Sequence, residues 1–255
     1  MITLKNLSFT YSAADSKSLT NINLTIHDGE CVVLTGLSGC GKTTLTRVLN
    51  GLCPQFYDGV LEGEYRIDHK DAGSMSAGEL SQYWGSVFQD PRSQFFAKRV
   101  QDEIVLAMEN ACFDRSDMER RLHEICTLLG ITHLLDEDMM YLSSGEKQKV
   151  AIASSLILQP KVLILDEPTS NLDADGVKVL IKTIKKIKDR GISIIISEHR
   201  LEPFNEVVNR FFYIDRGLLR KIWSKEEFES LDNESLSNLM KTLVLSLIHI
   251  SEPTR

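Results

Sequence analysis

No stretch of this 255-residue chain comes near the ~20 consecutive apolar residues that a membrane-spanning helix needs. The N-terminus, MITLKNLSFTY, lacks a basic patch followed by an apolar core, so no secretory leader is read there. The five cysteines (Cys31, Cys40, Cys53, Cys112 and Cys126) form no CxxC and no zinc-like pairing with histidine. They read as free thiols of a reducing compartment. Positive charge is also short. A net charge of −7 argues against a broad nucleic-acid footprint, yet it leaves room for a phosphate held by backbone N–H groups and one lysine. With 42% hydrophobic and 25% charged residues, the chain has an ordinary globular composition. Its length suits one large α/β domain with a small appended piece, or two small domains.

The first strong pattern lies between Cys31 and Leu52, CVVLTGLSGCGKTTLTRVLNGL. Cys31–Thr35 reads as a buried strand. Gly36, Leu37, Ser38, Gly39, Cys40, Gly41, Lys42 and Thr43 fit G-x-x-x-x-G-K-[ST], and Leu45, Val48 and Leu49 then recur at helical spacing. The glycines let successive N–H groups converge on phosphates, and the helix N-terminus adds donors and a positive dipole end. Lys42 would reach the β- and γ-phosphates, and the hydroxyl of Thr43 is a natural Mg2+ ligand. Alkylation of Cys40, inside the loop, is expected to block nucleotide binding.

The second pattern, KVLILDEPTSNLD (Lys161–Asp173), is an apolar strand ending in two carboxylates. Asp166 can hold Mg2+ through water and Glu167 can polarise an attacking water. Just before it, Ser143, Ser144, Gly145 and Glu146 open a helix, with hydroxyls at the cap and an acid in the first turn.

LSSGEKQKVAIA followed by VLILDEPTSNLD resembles the signature helix and Walker B strand of ABC ATPases. The implied fold is α/β: a P-loop NTPase with an antiparallel β subdomain and a helical subdomain. The resemblance also implies roles for residues at matching positions. Tyr11 would stack on adenine, with Thr44 completing the phosphate loop. Gln89 would join Thr43 and Asp166 at the metal, Gln89 and His199 would assist Glu167, and Asp173 would lie in the loop facing a partner. In that family two domains meet head to tail, so Ser143 and Gly145 would serve the opposite site. The usual signature is L-S-G-G-Q. Here Ser144 and Glu146 depart from it, and somewhat less loop freedom is expected.

The domain organisation follows. Residues 1–222 read as one ATPase domain, with strands from Met1 to Ile26, a helical subdomain at about 91–145 and core strands at Cys31–Thr35, Trp84–Phe88, Val162–Leu165 and Ile192–Ser197. Gly176–Arg190 reads as a helix whose lysines form a solvated face. Residues 223–244 read as a helical extension. Leu245–Arg255, LSLIHISEPTR, resembles an in-frame translation of a transposase adapter used in sequencing libraries, in which case the native chain continues past Val244.

VFQDPRSQFFAKRVQDEIVLAMEN and SEHRLEP resemble the ATPases of energy-coupling factor transporters, some of which are fused tandem ATPases. That resemblance implies a peripheral subunit on the cytoplasmic face of a membrane. It would bind ATP and Mg2+, pair with a second ABC ATPase domain, identical, different or fused, and work with a transmembrane coupling subunit and a substrate-binding membrane subunit. Cargo would be a vitamin, a vitamin precursor or a metal ion. Asp102 and Glu103 are expected to receive basic residues of the coupling subunit. The alternative is a soluble ABC-family ATPase acting on ribosomes or nucleic acid. The acidic balance and the lack of a long coiled coil between Lys42 and Ser143 weigh against it.

Overall fold

The computed structural model describes residues 1–231. The rest of the expected C-terminal extension and the tail at 245–255 lie outside the described residues. In chain order the elements are β1 (Ile2–Tyr11), β2 (Leu19–Ile26), β3 (Cys31–Thr35), α1 (Lys42–Leu49), α2 (Leu52–Gln55), β4 (Gly59–Ile67), β5 (Lys70–Asp71), α3 (Ala77–Leu80), β6 (Trp84–Val87), α4 (Val100–Asn110), α5 (Arg115–Leu129), α6 (Ser144–Leu156), β7 (Val162–Asp166), α7 (Ala174–Lys188), β8 (Ser193–Ser197), β9 (Arg210–Asp215), β10 (Leu218–Ser224) and α8 (Lys225–Glu229).

Two sheets form. One is antiparallel, in the order β2-β1-β4-β5. The other runs β10-β9-β3-β8-β7-β6, parallel except for the β9–β10 hairpin. The strands β3, β7 and β8 are apolar because the central sheet is covered on both faces. Alternate residues of β3 enter two separate cores. Cys31 and Val33 pack with α4–α7, while Val32 and Leu34 pack with α1 and the antiparallel sheet. Each fully buried Val, Leu or Ile contributes about 1.5–3 kcal/mol.

The expected core strands are present, and four more join them. β9 and β10 extend the central sheet, and β4 and β5 carry the antiparallel sheet beyond the expected Met1–Ile26. The segment at 91–145 is helical, with α4 and α5 at its centre. The Gly176–Arg190 helix is instead Ala174–Lys188, because the Asp173 carboxylate accepts the Gly176 N–H at 2.7 Å and caps the helix earlier. The helix expected from residue 223 begins at Lys225, since β10 continues through Ser224.

One charged pair fastens the central sheet to the antiparallel one. Glu30 is buried before β3, and its carboxylate accepts from Arg210 Nε and, at 2.7 Å, from Arg210 Nη2. The same Nη2 donates to the carbonyl of Thr25 on β2 at 2.6 Å. Burial pushes the Glu30 carboxyl upward, but the Arg210 bonds and the His27 N–H outweigh it and hold it below its ordinary 4.5. Arg210→Met is expected to lower the unfolding free energy by about 2 kcal/mol at pH 7, read from the urea midpoint. The folded carboxyl lies lower than the unfolded one. The stabilisation is therefore complete above about pH 5 and fades as pH falls through the folded value, so the gap between variant and parent should close in acid.

Candidate functional site

The C-terminal ends of β3, β7 and β8 finish level with one another. Leu34 pairs with Ser197, and Ser197 pairs with Asp166. At β3 the chain leaves the sheet through Gly36, whose φ of 151° is left-handed. A Cβ there would collide with the Ile214 carbonyl oxygen on β9. Gly39 and Gly41 are also left-handed, at 73° and 113°. No side chain caps α1, so its first-turn N–H groups and positive dipole end are the donors an anion would take. Leu37 is half-buried, Ser38 and Thr43 are exposed, and Thr44 is half-buried. Lys42 is only 5% exposed. Its Nζ donates to the carbonyls of Gly36 and Leu37 at 2.9 and 3.0 Å, which keeps the cation inside the loop.

Across the sheet, Glu167 takes a left-handed φ of 44°, and its N–H donates to the Ser197 carbonyl at 2.8 Å. Gln89 Nε2 donates to Glu167 Oε2 at 2.7 Å, and His199 Nε2 lies 3.3 Å from Glu167 Oε1. Three side chains from three separate segments therefore meet at one carboxylate. Burial raises the Asp166 carboxyl above its ordinary value, partly offset by the neighbouring Ser197 hydroxyl and then by the charges of Lys42 and Arg47. Asp166 Oδ1 is buried without a hydrogen-bond partner. Asp166, Gln89 and Thr43 line one cleft of about 370 Å³. An unpartnered carboxylate oxygen, an amide and an exposed hydroxyl are the oxygen donors a hard divalent cation prefers, so these residues fit Mg2+.

The remaining expected positions are placed as follows. Tyr11 is half-buried and packs edge-on to Phe9 at 4.8 Å. Its hydroxyl meets Thr44 Oγ1 at 3.3 Å, beside the phosphate loop. Ser143 caps α6 in a reciprocal box: its Oγ accepts the Glu146 N–H at 3.3 Å, and Glu146 Oε2 accepts the Ser143 N–H at 2.8 Å and its hydroxyl at 2.7 Å. These bonds hold the Glu146 carboxyl below its usual range. Ser144 lies in the first helical turn and is absent from the left-handed positions, and the Cβ position of Gly145 faces open space. A serine at 144 therefore costs the signature turn no backbone strain. The Asp173 carboxylate is engaged as the α7 cap.

One expectation fails. Glu103 is 5% exposed, and its Oε2 accepts the N–H groups of Phe96 and Ala97 at 2.8 and 2.7 Å. One of its oxygens holds its own loop, which leaves it poorly placed to receive a partner, whereas Asp102 is exposed. The sequence reading also missed Glu198, a buried acid beside His199 that binds the segment after Glu167. A charged residue before a strand-end histidine was the only signal available.

Cys40 needs a similar revision. It is 5% exposed, and burial raises its thiol despite Lys42 Nζ at 3.9 Å. Iodoacetamide at pH 7.5 is expected to label the exposed Cys112 at least tenfold faster than Cys40, read by peptide mass spectrometry of time points.

Among the described residues no helix is long and apolar enough to cross a membrane. The family profile described as ABC transporter matches residues 19–170. A Treponema denticola protein, named by inference an ABC transporter ATP-binding protein, is 38% identical over 92% of this chain and 48% of its own length. YkoD of Bacillus subtilis, named by inference an HMP/thiamine import ATP-binding protein, is 35% identical over 85% of this chain and 40% of its own. The chain thus spans about half the length of the curated relatives it matches. CbiO1 of Clostridium perfringens, described as part of the ABC transporter complex CbiONQ, superposes with a TM-score of 0.82 at 29% identity, over 99% of this chain and 98% of that one. With the family profile covering more than half of its residues, and with a G-x-x-x-x-G-K-T loop and an Asp-Glu pair at the level ends of its central strands, the chain belongs to the ABC transporter family as an ATP-binding cassette.

Proposed function

We propose that this cassette binds and hydrolyses ATP and that the energy drives uptake through separate membrane subunits of the energy-coupling factor type. The observation that carries the ATPase reading is Glu167 held between Gln89 and His199 at the end of β7. A general base must be within hydrogen-bond reach of the proton it takes. Here the carboxylate is oriented by an amide on one oxygen and an imidazole beside the other. The attacking water would lie against Glu167, and His199 would reach toward the γ-phosphate. The loop from Gly36 to Thr44 would hold the phosphates through N–H groups and Lys42, with Tyr11 against the adenine. Thr43, Gln89 and Asp166 would hold Mg2+, which when bound neutralises charge on the phosphate oxygens.

Ser143, Gly145 and Asp173 would act on the site of a second cassette, identical, different or fused. Relatives about twice as long as this chain support the fused arrangement. The likeness to YkoD, named for HMP/thiamine import, supports vitamin or vitamin-precursor cargo, and the likeness to CbiO1, part of an ABC transporter complex, supports a peripheral place at a membrane; metal-ion cargo and the cytoplasmic face rest on the sequence resemblance alone. Asp102, exposed at the start of α4, remains available to a basic residue of the coupling subunit.

Glu167→Gln keeps the shape and the contact with Gln89 but removes the base. It is expected to lower phosphate release by about 10²–10⁴-fold, while a fluorescent ATP analogue still binds within about threefold of the parent. Turnover equal to the parent's would end the assignment of Glu167 as base. Cargo class is tested by co-purifying the membrane subunits and assaying uptake of labelled thiamine precursors and Co2+ in vesicles. Uptake of neither class would remove the transport reading while leaving the ATPase intact.

A further inference from the structure

The buried acid before His199 sits where three segments of the site meet. Glu198 is 4% exposed. One oxygen, Oε2, accepts the Thr169 hydroxyl at 2.7 Å and, more weakly, the Thr169 N–H at 3.4 Å. The other, Oε1, accepts the N–H of His199 at 2.9 Å and that of Arg200 at 3.4 Å. The backbone N–H of Glu198 donates to the carbonyl of Leu34 at 3.0 Å, at the end of β3 just before the phosphate loop. Thr169 is itself 2% exposed and lies two residues after Glu167.

We infer that Glu198 is a positioning residue for hydrolysis, a clamp that fixes the Glu167 segment relative to the His199 segment. The inference rests on the ATPase reading given above. Its chemistry is specific. All four groups facing the carboxylate are donors, two on each oxygen, so the position calls for a side chain that only accepts. Glutamine with its oxygen toward His199 keeps that side, and can keep the Thr169 hydroxyl only by reversing that bond, which sets its NH2 against the Thr169 N–H. Aspartate, one methylene shorter, serves the His199 side and does not reach Thr169. A threonine or serine, short and itself a donor, cannot span the two segments. The bond between Thr169 and Glu198 links residues 29 positions apart and, with the Glu167–His199 pair, ties the side chains of these two segments directly. Glu167 is strained by its left-handed φ, so its orientation depends on what holds the loop that follows it.

The test uses the full chain with Glu198→Gln, Thr169→Val, Thr169→Ser and the double variant Glu198→Gln/Thr169→Val. Thr169→Val removes only the hydroxyl, and Thr169→Ser keeps it. Misplacing a catalytic group by about an ångström costs up to about 10²-fold. Glu198→Gln and Thr169→Val are therefore expected to lower kcat by about 10- to 100-fold, with KM and fluorescent-ATP affinity within about threefold of the parent. Thr169→Ser should recover most of the turnover. The double variant should be no worse than the poorer single one, since both remove the same bond. A purely structural role would instead lower thermal stability and leave the kcat of the folded fraction unchanged, which would overturn the inference; so would additive losses.

Amide hydrogen exchange gives a readout independent of activity. In Glu198→Gln and Thr169→Val the amides of Thr169 and His199 should exchange at least about tenfold faster while those of α1 do not change. Unchanged exchange at both amides overturns the clamp. If the parent releases no phosphate even with its second cassette and membrane subunits present, the ATPase reading fails, and the exchange experiment still decides whether the clamp exists.

Discussion

The candidate site depends on the register of three parallel strands. Because Leu34, Ser197 and Asp166 lie in one row across β3, β8 and β7, the loops that follow these strands leave the sheet at the same height. A slip of one residue would turn the side chains of a strand to its opposite face. It would carry Asp166 away from the Thr43 side and Glu198 out of reach of Thr169. The register is well determined because both faces of β3, β7 and β8 are buried, each in its own core. An exchange of faces would put differently sized side chains into two packed interiors, and overpacking or cavities there cost several kcal/mol. The cores thereby hold the position of residues that carry no apolar surface themselves.

This level edge also concentrates negative charge. Asp166, Glu167 and Glu198 are near neighbours, and the buried cation Lys42 is bound to its own loop carbonyls. Such an arrangement is costly unless each acid is satisfied separately. Glu167 is met by Gln89 and faced by His199, and Glu198 by four donors. Asp166 Oδ1 is the oxygen left without a partner, and burial raises its carboxyl accordingly. The chain carries a net charge of −7 and still offers donors suited to an anion, because they are backbone N–H groups and a helix end without a side-chain cap.

Much of this was legible in the sequence because the chemistry is local. The phosphate loop, the carboxylate pair and the α6 cap are contiguous runs in which spacing alone reports geometry. β4 was not legible. GVLEGEYRI is mostly exposed, with two glycines and two glutamates, so strand alternation survives only at Tyr65 and Ile67. In β9 the adjacent Phe211 and Phe212 are both buried, each in a different core, and a continuous apolar pair carries no period. Glu103 and Glu198 were misread or missed for a shared reason. A glutamate near an element end reads as solvated, and only tertiary folding brings the N–H groups of Phe96, or the hydroxyl of Thr169, onto it.

Gln89 shows how the parts of the site constrain one another. It follows β6 and leads into the helical segment, so its backbone belongs to the connection between core and α4. Its side chain donates to Glu167, while its carbonyl accepts from Asn171 Nδ2 at 3.2 Å and, more weakly, from Ser170 Oγ. The segment after Glu167 is thus held by Gln89 at Glu167 and at Ser170–Asn171, and by Glu198 between them at Thr169. Both holds are hydrogen bonds, worth about 1–3 kcal/mol each. That is comparable with the 1–3 kcal/mol a left-handed glutamate costs. The orientation of Glu167 is thereby tied to the same residue that holds Ser170 and Asn171, so loss of the Gln89 amide would remove one hold on Glu167 while the Gln89 carbonyl kept the other.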